Sequence, residues 1–65
     1  MKEGDRISFT YLGGRKVRCI VLKLLPKFMI GQLETDYKGK NEEWEAGERK
    51  EFSIKAMKHI KVINS

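Results

Sequence analysis

The side chains best suited to catalysis are few and isolated in this chain of 65 residues. It has a single cysteine, Cys19, and a single histidine, His59. Cys19 falls in the inward phase of an alternating segment, where a free cysteine usually behaves as a small hydrophobic residue. His59 has no second histidine and no fixed carboxylate partner in the sequence, which favours a turn or surface position over general-base chemistry. We therefore predict that the protein is not an enzyme and has no catalytic residues.

Motifs that hold metals or cofactors are also missing from the sequence. One cysteine and one histidine can form neither an internal disulfide nor a zinc site. Glu42, Glu43 and Glu45 are close together but lack the spaced Asp/Asn pattern of a calcium loop. The glycine pair Gly13–Gly14 lacks the lysine and hydroxyl residue of a phosphate-binding loop. The sequence thus predicts a binding module without a metal or cofactor.

The charge of the chain is distributed unevenly. The net charge is +5 and the pI is about 9.6. Residues 1–34 have seven basic and three acidic side chains, residues 35–48 have two and five, and residues 49–65 have five and one. A basic body with one acidic connection can attract a polyanion to one end and repel it from the other. A net charge of roughly 2–8 is also ordinary solubilising charge for a small domain, so both interpretations stay open.

The location of the protein is predicted from what the sequence lacks. No apolar stretch approaches the roughly 18 residues that a membrane span needs. A lone cysteine without a secretory signal favours a reducing compartment. We expect a cytoplasmic protein that makes no membrane contact.

Alternating apolar residues predict the elements that would position any binding side chains. Residues 6–11 alternate at period two and form a half-buried strand, and Gly13–Gly14 supply a tight hairpin turn after it. The run from Lys16 to Leu25 is apolar in both phases. It therefore contains either a bulge that swaps its faces or an exposed apolar strip.

The second half of the chain predicts a closing sequence of short strands. Residues 28–34 form a third strand, residues 35–48 form the longest loop, and a one-turn interruption at residues 56–58 separates the last two strands. This order predicts an all-β single domain over residues 1–65, a small five-stranded SH3-like or Sm-like barrel with a one-turn helix before the last strand. The predicted core contains Phe9, Val21, Phe52, Ile54, Ile60 and Val62.

The order of these motifs resembles a WYL domain over most of the chain. The segment Ile7–Tyr11, a glycine turn, a proline, the triplet Phe28–Ile30 and the strand Lys50–Lys55 follow one another as in that family. The resemblance implies an Sm-like barrel found in transcription regulators, with basic and aromatic residues that contact nucleic-acid or nucleotide-like ligands. By motif position, Phe28–Ile30 would stand at the family's tripeptide, and Lys50 and Lys55 near its basic pair. YolD-like proteins, another small Sm-like group, share the same spacing.

Nucleic-acid binding in transcription regulation is the leading functional hypothesis. Barrel faces that bind single strands combine basic side chains along a groove with aromatic side chains for stacking. The candidate nucleic-acid-binding residues are Arg15, Lys16, Arg18, Lys23, Lys27, Tyr37, Arg49, Lys50 and Lys55.

The alternative hypothesis is a protein–protein interaction module or small inhibitor, of phage or defence type. Its candidate residues are Ile20, Leu22, Leu24 and Trp44. Tryptophan is enriched among interface hot spots, but Trp44 equally fits a lid over one end of the barrel. Association of identical copies through an edge strand is compatible with both hypotheses.

Overall fold

The computed structural model describes residues 1–63, which form short antiparallel strands and one turn of 3-10 helix. In chain order the elements are β1 (Arg6–Tyr11), β2 (Arg15–Leu24), β3 (Phe28–Leu33), β4 (Tyr37–Lys38), β5 (Glu43–Trp44), β6 (Arg49–Ser53), the 3-10 helix (Ile54–Ala56) and β7 (Met57–Val62). Five strands make one sheet in the order β6-β3-β2-β1-β7, and β4 pairs with β5 in a separate hairpin. The all-β class and the one-turn helix before the last strand are therefore confirmed.

The main sheet is open, with β6 and β7 at its two edges. Within residues 1–63 no pairing joins these edges, so the closed barrel expected from the sequence is not found there. The 3-10 helix takes the chain across from β6 to β7, and β7 pairs with β1 alone. A hydrogen bond links the end of β6 to the end of β1: the Ser53 N–H donates to the Tyr11 hydroxyl at 3.0 Å.

The long second strand contains the bulge that its two apolar phases predict. The register of β2 against β3 shifts between Val21 and Lys23, which leaves Leu22 as the extra residue. Beyond the bulge Leu24 packs against the core, whereas Ile20 and Leu22 are half-buried. One inserted residue changes which face the following side chains occupy. The exposed-strip alternative is therefore wrong for most of this strand.

The segment 35–48, predicted as a loop, contains the β4–β5 hairpin. Its first strand places Tyr37 in the core, with the ring centroid 6.4 Å from those of both Tyr11 and Phe52. Strands of two residues have no measurable period, so alternation cannot reveal them. The hairpin gives the open sheet a second layer of aromatic packing.

The core is built from the inward residues of β1, β2 and β3, together with Tyr37, Phe52 and Met57. Phe52 is fully buried, and its ring meets those of Tyr11 and Phe9 edge to face at 4.9 and 5.1 Å between centroids. The predicted core positions Phe9, Val21 and Phe52 are confirmed, and Ile54 packs against the core while half-buried.

The remaining two predicted core positions are wrong. Ile60 is 39% exposed and Val62 50% exposed. Ile60 lies in the bulge between Lys58 and Lys61, and Val62 stands opposite the buried Ile7 but at the end of the strand, where it stays exposed. As an edge strand, β7 also has no neighbour on its outer side to cover these side chains.

We predict that Phe52→Ala largely unfolds the protein at room temperature, whereas Val62→Ala does not. Emptying a fully buried phenylalanine site costs about 3–5 kcal/mol, and a domain of this size has roughly that much stability to lose. Thermal melts followed by circular dichroism measure both variants. Equal losses of stability in the two variants would contradict this assignment of the core.

Candidate functional site

The outward face of β2, β1 and β7 forms a basic groove. Outward positions of β1 are Ser8 and Thr10, and the register places Arg18 opposite Ser8 and Lys16 opposite Thr10. On the other side of β1, Lys61 stands opposite Ser8. Two hydroxyl residues therefore lie in a line between basic strands. A groove of about 310 Å³ runs over them.

A β-bulge brings His59 into this basic groove. Between Lys58, opposite Thr10, and Lys61, opposite Ser8, β7 has two residues facing the single residue Phe9. His59 adopts φ 55°, the left-handed conformation typical of the first residue of one bulge class. As a result the imidazole lines the groove beside Lys61.

The electrostatics of the basic groove favour an anion. None of the described residues that line it is acidic. Lys16, Arg18 and Lys61 provide cationic donors, while Ser8 and Thr10 provide neutral donors. Nearby, the Arg6 guanidinium lies 3.1 Å from the Glu34 carboxylate, so this acidic side chain already has a cationic partner. The groove is thus suited to phosphate groups.

The structure places the predicted nucleic-acid residues in different parts of the surface and core. Lys16 and Arg18 line the basic groove. Arg15 extends to the hairpin instead, where its Nε donates to the Lys38 carbonyl at 3.1 Å. The other exposed members are Lys23 beyond the β2 bulge, Arg49 at the start of β6, and Lys27 and Lys55 beside a second groove.

Two of the predicted surface residues, Tyr37 and Lys50, are buried, which corrects their assignment. Tyr37 belongs to the aromatic core, and burial raises the pKa of its phenol. The Lys50 side chain is only 9% exposed. Neither side chain can contact a nucleic acid at the surface in this conformation. Lys50 is a candidate binding residue in the sequence because the charge of a lysine normally keeps it in water, although it shares the inward phase of Phe52.

The Lys50 ammonium lies within a cage of four aromatic rings. Its Nζ is 5.0 Å from the ring centroid of Trp44, 5.2 Å from Phe52, 5.5 Å from Tyr37 and 5.9 Å from Tyr11. An ammonium near the faces of aromatic rings is stabilised by their quadrupoles, and more strongly when it is removed from water. This aromatic cage compensates part of the cost of burying the charge.

Glu42 completes the aromatic cage with the opposite charge. Its Oε1 lies 3.0 Å from Lys50 Nζ. The hydrogen bond from Lys50 holds the pKa of the Glu42 carboxyl below its usual range. Since Glu42 belongs to the turn between β4 and β5, this ion pair fastens the hairpin to β6.

Trp44 is a half-buried residue of the hairpin. Its ring packs against the core and covers Lys50. The lid interpretation of Trp44 is thereby favoured over an exposed anchor. Of the other protein-binding candidates, Ile20 and Leu22 are half-buried and Leu24 packs on the core.

Cys19, the single cysteine of the chain, is buried in the core. Burial, followed by the charge of Glu34, raises the pKa of the Cys19 thiol to about 12, so the reactive thiolate is scarce at neutral pH. Cys19 also packs tightly, because a Cβ added at Gly31 would lie 2.7 Å from its Sγ. Among residues 1–63, no three His, Cys, Asp or Glu side chains group as a metal site, and no helix is long and apolar enough to span a membrane.

Comparisons with known proteins do not assign a family. No protein-family model, curated protein or solved structure matches the chain. What the structure bears out of the resemblance to WYL domains and YolD-like proteins is a small all-β domain of antiparallel strands. The residues themselves are therefore the guide to function.

Sequence reasoning missed four residues of the basic groove, namely Ser8, Thr10, His59 and Lys61. Ser8 and Thr10 occupy the polar phase of a strand that the alternation predicts correctly, so their outward orientation was available from the pattern. Their neighbours across the sheet were not, because pairing of β1 with β7 and the bulge at His59 depend on register.

We predict that Glu42→Gln destabilises the fold by about 1–2 kcal/mol, because it leaves the buried ammonium without an anion. The effect is moderate since the Glu42 side chain is 43% exposed. In a Lys50→Met background the same change has no such cost. The matched control is Glu43→Gln, which loses only an exposed 3.9 Å pair with Lys38 and leaves stability unchanged. Urea unfolding of Glu42→Gln, Lys50→Met, the double variant and Glu43→Gln, each compared with the parent, measures these changes in the free energy of unfolding.

The same ion pair predicts a loss of stability in acid. The hydrogen bond from Lys50 lowers the folded-state pKa of Glu42 below its ordinary value, so the stability it contributes is fully present above the unfolded-state pKa and is lost as the pH falls through the folded-state pKa. We expect Lys50→Met to reduce the loss of stability that protonation of Glu42 causes. A pH profile of unfolding that is identical in the parent and in both Glu42→Gln and Lys50→Met would contradict the ion-pair assignment.

Proposed function

We propose that this domain is a nucleic-acid-binding module that holds the phosphate backbone in its basic groove. The observation that supports the proposal is the placement of Lys16, Arg18 and Lys61 around two hydroxyl residues, in a groove with no acidic lining among the described residues. Lysine and arginine on phosphates supply most of the affinity of non-specific nucleic-acid binding. Hydroxyl groups add neutral contacts to phosphate oxygens.

The acidic hairpin supports an orientation for this complex. Four carboxylates and one ammonium line a depression beside Trp44, namely those of Asp36, Glu43, Glu45, Glu48 and Lys38. Phosphate groups are repelled from such a surface, whereas the basic groove attracts them. A bound strand would therefore lie across β2, β1 and β7, away from the β4–β5 hairpin.

The proposal describes a binding module without an enzymatic activity. Cys19 is buried, and His59 is the one histidine of the chain. Nothing about the basic groove requires more than electrostatic and hydrogen-bond contact with the ligand. Transcription regulation is the setting that the motif order favours.

We also propose an SH3-like or Sm-like architecture for the domain. The strand order β6-β3-β2-β1-β7 and the 3-10 helix between the two edge strands support it. The bond from Ser53 N–H to the Tyr11 hydroxyl at 3.0 Å brings the end of β6 to the end of β1. Such an arrangement approaches a barrel without hydrogen-bonded closure of its edges.

Association of identical copies is a second candidate function, favoured by the β7 edge. Ile60 and Val62 are exposed there on a strand whose outer backbone groups face no neighbouring strand of the sheet. Exposed apolar edges are templates for pairing with another chain. Sedimentation equilibrium tests this: a dimer or larger species that Val62→Lys converts to monomer supports it, and a monomer at all concentrations contradicts it.

We predict that the protein binds labelled oligonucleotides at low salt and releases them as salt increases, because bound phosphates release counterions. Lys16→Glu with Arg18→Glu should weaken binding at least tenfold. The logarithmic salt slope should become shallower by about 1.5, since each lost phosphate contact removes roughly 0.7–0.9.

The matched control for this experiment is Lys2→Glu with Lys40→Glu, which makes the same change of net charge at exposed lysines outside the groove. In a comparison at about 0.15 M salt, where exposed charges are screened beyond roughly 8 Å, we expect this control to bind within about threefold of the parent. Equal losses in both double variants would show that net charge and not the groove is responsible. An absence of binding at low salt would exclude the function.

A further inference from the structure

A second groove lies at the end of the sheet where β2 turns into β3. It has a volume of about 480 Å³ and is lined by Pro26, Lys27, Phe28, Ser53, Ile54 and Lys55. Phe28 begins β3 in the outward phase, because Met29 after it is fully buried, and its side chain is 41% exposed. The backbone is fixed by the pairing of Phe28 with Ser53 and by the Ile54 N–H, which donates to the Lys27 carbonyl at 3.1 Å.

The chemistry of this Phe28 groove combines an aromatic ring with two cations. Phe28, Pro26 and Ile54 give it apolar walls, and Lys27 and Lys55 add positive charge. None of the described residues that line it is acidic. An occupant that complements both features has a flat apolar face and negative charge beside it. A nucleobase with its neighbouring phosphates has this composition, and bases stack on aromatic side chains irrespective of sequence.

The Phe28 groove is connected to the basic groove by a short length of chain. Lys55 lies in the 3-10 helix that leads directly into β7, and β7 carries His59 and Lys61 of the basic groove. Lys55 and Lys61 are six residues apart, which spans at most about 20 Å of extended chain. One nucleic-acid strand of moderate length can therefore reach both grooves.

We propose that the Phe28 groove receives an unpaired nucleobase stacked on the Phe28 ring, and that the ligand of the domain is single-stranded nucleic acid. The inference rests on the proposed function and adds the ligand class to it. Bases within a duplex are stacked on one another and offer no free face to a side chain. A single strand presents its bases to Phe28 and its phosphates to Lys27 and Lys55.

The experiment compares three labelled probes: a twelve-residue thymidine oligonucleotide, a duplex of the same length, and the single strand with abasic sites throughout its centre. Phe28→Ala and Phe28→Leu remove the ring, and the leucine variant keeps apolar contact. Leu12→Ala at an exposed apolar residue of the β1–β2 turn is the matched control. Circular dichroism checks that every variant is folded. Because Phe28 is largely exposed, we expect its replacement to leave the fold intact.

We expect both Phe28 variants to bind the thymidine strand about tenfold more weakly, as one lost stacking contact typically does. The abasic strand should bind the parent as weakly as the thymidine strand binds Phe28→Ala, and Phe28→Ala should weaken its binding no further. Duplex binding should be the same in parent, Phe28 variants and control.

The possible failures are distinguishable. If the parent binds all probes in a salt-dependent manner and Phe28→Ala has no effect on the thymidine strand, the stacking site is wrong and the basic groove stands. If Phe28→Ala weakens thymidine and abasic strands equally, Phe28 does not contact a base, which also overturns the inference. If no probe binds the parent at low salt, the proposed function itself fails.

Discussion

The buried charge of Lys50 is the interaction on which the rest of the structure depends. A lysine ammonium in the interior needs both an anion and a polarisable surface, because burial removes its hydration. The sheet supplies the rings of Tyr11 and Phe52, and the β4–β5 hairpin supplies the other two rings and the carboxylate of Glu42. Sheet and hairpin therefore meet around one cation, and this contact joins the packing of Tyr37 in attaching the hairpin to the sheet.

This arrangement explains how the charge of the molecule is divided between its surfaces. The acidic segment 35–48 is drawn to the side of the sheet where Lys50 is buried, so most of its carboxylates gather around the hairpin. The opposite face of β2, β1 and β7 keeps its basic side chains free of acidic neighbours in the groove lining. An uneven charge along the sequence thus becomes two surfaces of opposite sign. The basic one can attract a polyanion while the acidic one limits its orientation.

The parts of the fold that the sequence predicts are those with a period. Period-two alternation over residues 6–11 correctly gives β1 and its inward residues, and the double apolar phase of β2 correctly gives a bulge. The burial of Tyr37 was not predictable in this way, because β4 has only two residues. Lys50 shares the inward phase of Phe52, but the usual preference of lysine for water argues against this phase. The error at Ile60 and Val62 has a related origin, since the position of β7 at the edge of the sheet depends on its pairing with β1 alone.

The residues of the candidate site are likewise predictable only where a local pattern of one strand contains them. Lys16 and Arg18 were predicted as binding residues from the pattern of β2 alone, whereas Lys61 and His59 join them only through the register of β7. Phe28 was noticed as part of a motif, but its place between two lysines results from the pairing of β3 with β6. Residues brought together across strands are invisible to local pattern analysis.

We expect a bound polyanion to lie on the basic face and to avoid the hairpin. Two-dimensional amide NMR during titration with a short single-stranded oligonucleotide tests it most directly, because each backbone amide reports its own surroundings. We predict shifts concentrated at the groove residues, with the amides of residues 36–45 unchanged; the groove residues are Ser8, Thr10, Lys16, Arg18, His59 and Lys61. Shifts concentrated on the acidic hairpin, or distributed evenly over the whole chain, would contradict it.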